Sequence, residues 1–419
     1  MNDLLLKVNK KLDKYGQEHL LWFYDSLSED EKKCLLNQIL SIDFDFMSEL
    51  YKNSMKNDAN VLAEVTPLSH VEKERLSQKE ISSYRAIGET EIKQGNFAVV
   101  TMAGGQGTRL GYSGPKGTYP LALKPIKKSL FQIMAEDIER ANDRYQVTIP
   151  WYIMTSQDND LMTKTFFEEN SYFGYPADLV CFFKQDKLPL VGIDGNFILE
   201  EPHRIKEGSN GNGNVFAAMK KNGILEHMKL HHIKWISFGG IDNVLLKNVD
   251  PLFLGMMIKH GQVTASKTIF KQEPLEKTAV YCRKNGKPAI LDYDVIDLAL
   301  SEEKDESGLY VYREANMLSH LMSFEAVDYI ADIQLPYHRA FKKNAFVNSE
   351  GVKQVPDRAN TFKFENFIFD AFSFFDDLLL LRVNADEEFA PIKDFRGMYN
   401  PDTAREKYER FWNLRDDLL

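Results

Sequence analysis

The chain has 419 residues, of which 43% are hydrophobic, 12% aromatic and 27% charged; this excludes a disordered or fibrous chain and leaves room for two to three domains of roughly 150 residues. Its formal charge is -10, from 52 Lys+Arg against 62 Asp+Glu, with no basic stripe, so no nucleic-acid partner is expected. No apolar run approaches the roughly 20 residues of a membrane span, no secretory pattern opens the sequence, and Cys34, Cys181 and Cys282 are too scattered for a disulfide framework, so a cytoplasmic enzyme without a membrane partner is expected.

The first 95 residues read as helical. Ser28-Glu29-Asp30-Glu31 and Ser77-Gln78-Lys79-Glu80 are capping boxes. The first opens a helix with Leu35, Leu36, Ile39 and Leu40 on one face; the second opens a helix that stops at Gly95. Residues 52–75 are polar and predict a loop around Pro67. From residue 96 the pattern alternates. Strands are expected at 97–102, 149–155, 179–183, 233–238 and 378–383, and helices at 129–145, 161–170, 215–220 and 252–259. That alternation gives an α/β core with a mostly parallel sheet, whose ligands sit at the carboxyl ends of the strands. The division expected is a helical region 1–95, a catalytic core 96–345 and a C-terminal region 346–419. Glu302-Glu303-Lys304-Asp305-Glu306 reads as a solvated loop.

The first core strand runs into Ala103-Gly104-Gly105-Gln106-Gly107-Thr108-Arg109-Leu110-Gly111, then Pro115-Lys116-Gly117. Such a glycine-rich turn brings backbone N–H groups against an anion. Arg109 adds a forked donor and Lys116 a mobile point charge, a combination suited to a polyphosphate. Leu110 replaces the third glycine of GxGxxG, which disfavours an NAD-dependent dehydrogenase, and Pro115-Lys116-Gly117 breaks the P-loop pattern. Asp242 follows the strand 233–238, and a single carboxylate with substrate phosphates is enough to hold Mg²⁺. The Ser209–Asn214 loop offers amides to a base or to sugar hydroxyls. Lys363 and Phe389-Ala390-Pro391-Ile392-Lys393 border apolar runs and would be unremarkable alone. His231-His232, read as strand residues, would point to opposite faces and not chelate one metal. Without HExxH or GxSxG, covalent catalysis is unsupported.

Taken in order, these motifs resemble the UDP-sugar pyrophosphorylases, and most closely their UDP-N-acetylhexosamine branch. The likeness covers Ala103–Gly117, Ile149–Ser156, Phe182–Gln185, Gly211–Gly213, Ile241–Asn243, Lys363–Glu365 and Glu387–Lys393. It implies a Rossmann-like nucleotidyltransferase core with a mixed, mostly parallel sheet, an N-terminal helical region and a small C-terminal region. The reaction it implies moves UMP from UTP to a sugar 1-phosphate and releases pyrophosphate, with Mg²⁺ or alternatively Mn²⁺. By the same resemblance, Met102, Ala103, Gly104 and Gly105 line the UTP site, while Arg109 and Lys116 bind its phosphates. Gln185 and Gly211 contact uracil, Asp242 holds the metal, and Lys363 touches the nucleotide phosphates. Asn212 and Lys393 face the sugar phosphate, with Asp292 and Tyr293 near the sugar.

The sequence departs from that branch at the sugar end. Arg313-Glu314-Ala315-Asn316 stands for Asn-Ala-Gly-Asn, Asp292-Tyr293 for Glu-Tyr, Ala279 for a glycine, and Asn210–Asn214 for Asp-Gly-Asn-Gly-Gly. Arg313 is either turned outward or alters sugar preference, by pairing with a carboxylate or phosphate or by filling the N-acetyl space. Competing readings are a UTP–glucose-1-phosphate uridylyltransferase, a UDP-sugar-binding homologue without catalysis, and a glycosyltransferase using Asp292-Tyr293-Asp294 as its metal motif.

Overall fold

Both capping boxes form as the sequence specifies. The Ser28 hydroxyl accepts the Glu31 N–H and the Glu31 carboxylate accepts the Ser28 N–H; Ser77 and Glu80 repeat the exchange. The computed structural model describes residues 2–56, 64–271, 278–291 and 298–416. They divide into two units that cut across the three consecutive regions expected. One comprises 1–62, 186–214 and 335–367; the other comprises 63–185, 215–334 and 368–419.

In the first unit, α1 (Asn2–Tyr15), α2 (Glu29–Ser41) and α3 (Phe44–Met55) build a core with later stretches of the chain. Leu35, Leu36 and Ile39 are buried with Val8, Leu12 and Phe44 against Val191, Leu199, Ile205 and Phe364 from the later stretches of the same unit. The Lys11 ammonium donates to the carbonyls of Ile39, Leu40 and Ile42 at 3.0, 3.2 and 2.6 Å, closing the C-terminal end of α2.

The second unit holds an 11-stranded sheet among the described residues. Its strands are β1 (Val65–Pro67), β2 (Val71–Glu72), β3 (Phe97–Met102), β4 (Trp151–Thr155), β5 (Val180–Lys184), β6 (Trp235–Gly240), β7 (Thr264–Phe270), β8 (Val280–Lys284), β9 (Lys287–Leu291), β10 (Glu314–Ser323) and β11 (Leu379–Arg382). The order is β2-β11-β7-β10-β6-β3-β4-β5, with β8 joining β1, β9 and β10. Strands β2, β11, β7, β6, β3, β4 and β5 run one way, and β10 runs against them. The helices α4 (Gln78–Lys93), α5 (Leu130–Tyr145), α6 (Asp160–Glu169), α7 (Val215–Lys221) and α9 (Pro251–Lys259) lie within a residue or two of the expected spans, and α8 (Ile224–Leu230) is a further helix that was not expected. α5 buries Leu130, Ile133, Met134 and Ile138 as its periodicity requires.

Two expectations are corrected. Pro67 sits in an edge strand paired to Cys282, and Val71–Glu72 pairs with Leu381–Arg382, where a polar loop was expected. Their partners lie hundreds of residues away, and proline is tolerated at a sheet edge. His231-His232 ends α8 rather than entering a strand, with His231 stacked 4.4 Å from His227.

At the sheet centre, His320 on β10 is fully buried, its Nδ1 2.8 Å from the Ser266 hydroxyl. Burial pushes its pKa down to about 3. The unfolded chain therefore takes up a proton near pH 6.5 that the folded chain refuses. The stability that neutral His320 preserves is intact above that value and is lost as pH falls toward the folded one. A loss of about 2 kcal/mol between pH 6.5 and 5 is expected, and His320→Gln should flatten this part of the profile of urea midpoints.

Candidate active site

Strands β3, β5, β6, β7 and β11 end at one edge of the sheet, and antiparallel β10 starts there at Glu314. Met102 closes β3 and the glycine loop follows. The Gly107 N–H donates to Gly114 O at 2.9 Å and the Lys116 N–H to Gly105 O at 3.0 Å, folding the loop back on itself. Asn159, fully buried at the start of α6, fixes the loop from below. Its amide donates to Ala103 O at 2.9 Å and Gly105 O at 3.4 Å, while its carbonyl accepts the Ser156 N–H at 2.7 Å. Sequence reading missed Asn159; its signal was the Ser-x-x-Asn spacing after β4.

Gln185, just beyond β5, lies against Gly104. A Cβ at Gly104 would stand 2.2 Å from Gln185 Nε2, so only glycine admits this approach. With the uracil contact that the resemblance implies for Gln185, Gly104→Ala is expected to displace its amide and weaken UTP binding about tenfold, measured by calorimetry, while the urea midpoint hardly moves.

Asp242 leaves the end of β6, and its carboxylate lies 3.6 Å from the ammonium of Lys116, whose side chain is 11% exposed against 25% for Asp242. The Ile392 N–H donates to Asp242 O at 2.8 Å, which brings the Phe389–Lys393 segment to the same place. Lys393 stands with its ammonium 5.0 Å from the Tyr399 ring centre, and Arg109 is exposed 3.6 Å from Asp394. A cleft of about 860 Å³, lined in part by Phe270, Arg382, Phe389 and Tyr399, opens at this edge, within the range of small-ligand sites.

Gly211, Asn212 and Lys363 belong to the first unit. Gly211 has φ +95° and its absent Cβ would meet Asn366 O at 2.1 Å, so glycine is required on both counts. The Gly213 N–H donates to Asn366 O at 3.0 Å, and the Lys363 ammonium meets Glu365 at 2.8 Å and the Ser209 hydroxyl at 3.3 Å.

At the proposed sugar end, Asp292, Tyr293 and the Asp292-Tyr293-Asp294 pattern lie outside the described residues. Arg313 is not turned outward. Its guanidinium donates to Asp305 at 2.7 Å and to Tyr310 O at 2.9 Å, and its side chain is 14% exposed. The charged loop expected to be wholly solvated thus supplies Arg313's counter-charge. Glu314 is also paired, by Arg382 through two guanidinium nitrogens and by the Thr268 hydroxyl at 2.6 Å. Ala279 O accepts the Asn316 N–H at 2.9 Å.

A mixed, mostly parallel sheet with a glycine loop, a Lys–Asp pair and further basic side chains at its carboxyl edge defines a nucleotidyltransferase. The family model described as UTP–glucose-1-phosphate uridylyltransferase matches residues 44–400, and the chain belongs to that family. It is 35% identical to the UDP-N-acetylglucosamine pyrophosphorylase of Saccharomyces cerevisiae, over 94% of this chain and 87% of the relative. It is 34% identical to UDP-N-acetylglucosamine diphosphorylase 2 of Arabidopsis thaliana, over 94% and 82% respectively. The crystal structure of the uridine diphosphate N-acetylglucosamine pyrophosphorylase from Trypanosoma brucei superposes with a TM-score of 0.81 at 30% identity, covering 97% of this chain and 84% of that one. Among the described residues, no helix is long and apolar enough to cross a membrane.

Proposed function

We propose that this chain transfers UMP from UTP to a neutral sugar 1-phosphate, an N-acetylhexosamine 1-phosphate in the first instance, and releases pyrophosphate. The observation that carries the reading is the Lys116–Asp242 pair at 3.6 Å, joined at the glycine loop's end to the Lys393 segment. A sugar-phosphate oxygen attacks the α-phosphorus in line, and the bond to the departing pyrophosphate breaks. The attacking oxygen is already anionic, so no general base is needed. The barrier lies in bringing two anions together and in the charge that gathers on the leaving group.

Each residue has a task in that scheme. The N–H groups of residues 104–106, with Lys116 and Arg109, hold the triphosphate; Lys393 draws in the sugar phosphate; Gln185 reads the base. By the family resemblance, Gly211 is assigned to uracil, Asn212 to the sugar phosphate and Lys363 to the nucleotide phosphates, all three within the first unit. Asp242 is the residue that would hold Mg²⁺. Its partly exposed carboxylate is a hard oxygen donor 3.6 Å from the Lys116 ammonium, and one such carboxylate with substrate phosphates suits a hard divalent ion. Such an ion, or Mn²⁺ in its place, neutralises phosphate charge as a Lewis acid. The free thiols of Cys34, Cys181 and Cys282 support a reducing, cytoplasmic location.

Neutral sugars are favoured because both new charges at the sugar end already have protein partners: Arg313 with Asp305, and Glu314 with Arg382. A plain hexose 1-phosphate is the second reading, since Arg313 and Ala279 still alter the branch's pattern. The test is pyrophosphate release from UTP and Mg²⁺ with glucose, galactose, their N-acetylated forms and glucuronate, all as 1-phosphates. Release with the N-acetylated sugars and none with glucuronate is expected. Silence across the panel, with UTP still bound by calorimetry, would support a non-catalytic UDP-sugar-binding homologue instead.

A further inference from the structure

Behind the Lys393 segment lies a buried cluster of charges that the nucleotide site does not use. Glu388 is fully buried. One of its carboxylate oxygens accepts the ammonium groups of Lys73 and Lys247, each at 2.8 Å, and the other accepts Lys267 at 2.6 Å. Asp250, the N-cap of α9, takes Lys267 at 2.7 Å. Burial by itself would push the Glu388 carboxyl up; Lys267, Lys247 and Lys73 overcome it and hold the group well below the usual carboxylate range. The three lysines come from the turn after β2, the loop after β6 and the middle of β7, so Glu388 ties three elements together.

The chain runs directly from Glu388 into Phe389–Lys393, and Asn243 grips the junction. The Asn243 amide donates to Glu388 O at 2.8 Å and its carbonyl accepts the Ala390 N–H at 2.8 Å. The Val244 N–H donates to Ala390 O at 3.2 Å and the Ile392 N–H to Asp242 O at 2.8 Å. The segment bearing Lys393 is thereby laid along the residues that follow β6, Asp242 among them. An apolar anchor would exclude water equally well but would not fix the direction of three bonds.

We propose that Glu388 is a positioning residue: with Asn243, it anchors the Lys393 segment against Asp242 and so sets the spacing of the two groups for uridylyl transfer. The catalytic consequence rests on the function proposed above; the anchor itself does not. The test uses the full chain with Glu388→Gln and Asn243→Ala, the second lying outside the charge cluster and serving if the first fails to fold. Amide hydrogen exchange over 389–393, read in ligand-free protein, is expected to quicken on the order of tenfold, and kcat to fall on the order of 10- to 100-fold, with KM for UTP within about twofold. Adding Asn243→Ala to Lys393→Ala should cost little beyond Lys393→Ala alone, because an anchor matters only while there is a lysine to hold. Unchanged exchange in a folded variant, or losses that multiply in the double variant, would overturn the proposal. A wild-type chain silent toward every sugar phosphate would count against the reaction, and the exchange measurement would then decide the anchor.

Discussion

Lys116→Ala is expected to lower kcat/KM by about 10²- to 10³-fold, the loss typical of removing one well-placed donor to a developing anion. Lys116 is nearly buried and stands 3.6 Å from Asp242, so its charge acts where water screens it little. In the proposed scheme, truncation also leaves the Asp242 carboxylate facing phosphate oxygens without the Lys116 counter-charge. Folding should be spared. The bond from the Lys116 N–H to Gly105 O belongs to the backbone and survives, and a partly exposed ion pair contributes only about 0–1 kcal/mol. Asp242→Ala should be equally inactive for a different reason, and titration with Mg²⁺ separates the two. Rising metal concentration should still raise the residual rate of Lys116→Ala and leave Asp242→Ala flat. Near-normal turnover in either variant would remove that residue from its assigned role.

The largest effect on stability is expected at Glu388. Glu388→Leu should lower the unfolding free energy at pH 7 by about 3–5 kcal/mol, as when one partner of a buried ionic network is removed. Lys267 is 1% exposed and would keep only Asp250, while Lys73 and Lys247 would lose the carboxylate they share. A Lys247→Met/Glu388→Leu double variant should recover part of that loss, because Lys247, paired to Glu388 at 2.8 Å, leaves with its partner and Lys267 stays with Asp250. The pH dependence has a definite sign. A carboxyl held below its unfolded value stabilises the fold above about pH 4.3 and loses that effect as pH falls through the lower folded value. The difference between wild type and Glu388→Leu should therefore be steady from pH 5 to 8 and shrink in acid. Urea midpoints by circular dichroism measure it, and an unshifted midpoint at pH 7 would refute the cluster's contribution.

Much of the local structure was legible because its causes are local. Ser28 and Ser77 found their glutamates three residues on, α5 buried its apolar face, and β3, α6 and α9 appeared within a residue or two of their patterns. The glycine loop, Lys116 and Asp242 were legible for a related reason: residues just after apolar strands reach the carboxyl edge of a parallel sheet whatever the details of packing. Asn243 stood inside the quoted Ile241–Asn243 motif and Asn159 three residues beyond Ser156, but neither position says which distant carbonyl the side chain will bond.

Composition, periodicity and motif order by themselves determined the α/β class, the sheet edge that carries the glycine loop, and the family, since each depends on neighbours within a few residues or on a fixed order along the chain. Tertiary structure alone decided that the N-terminal helices share a core with residues 186–214 and 335–367, that Pro67 lies in an edge strand, and that Arg313 turns inward to Asp305. It alone brought Lys73 to Glu388, 315 residues apart in sequence. A charged side chain looks the same in a sequence whether water or protein surrounds it; its energy, and so its role, is fixed only when folding chooses its partners and removes the solvent.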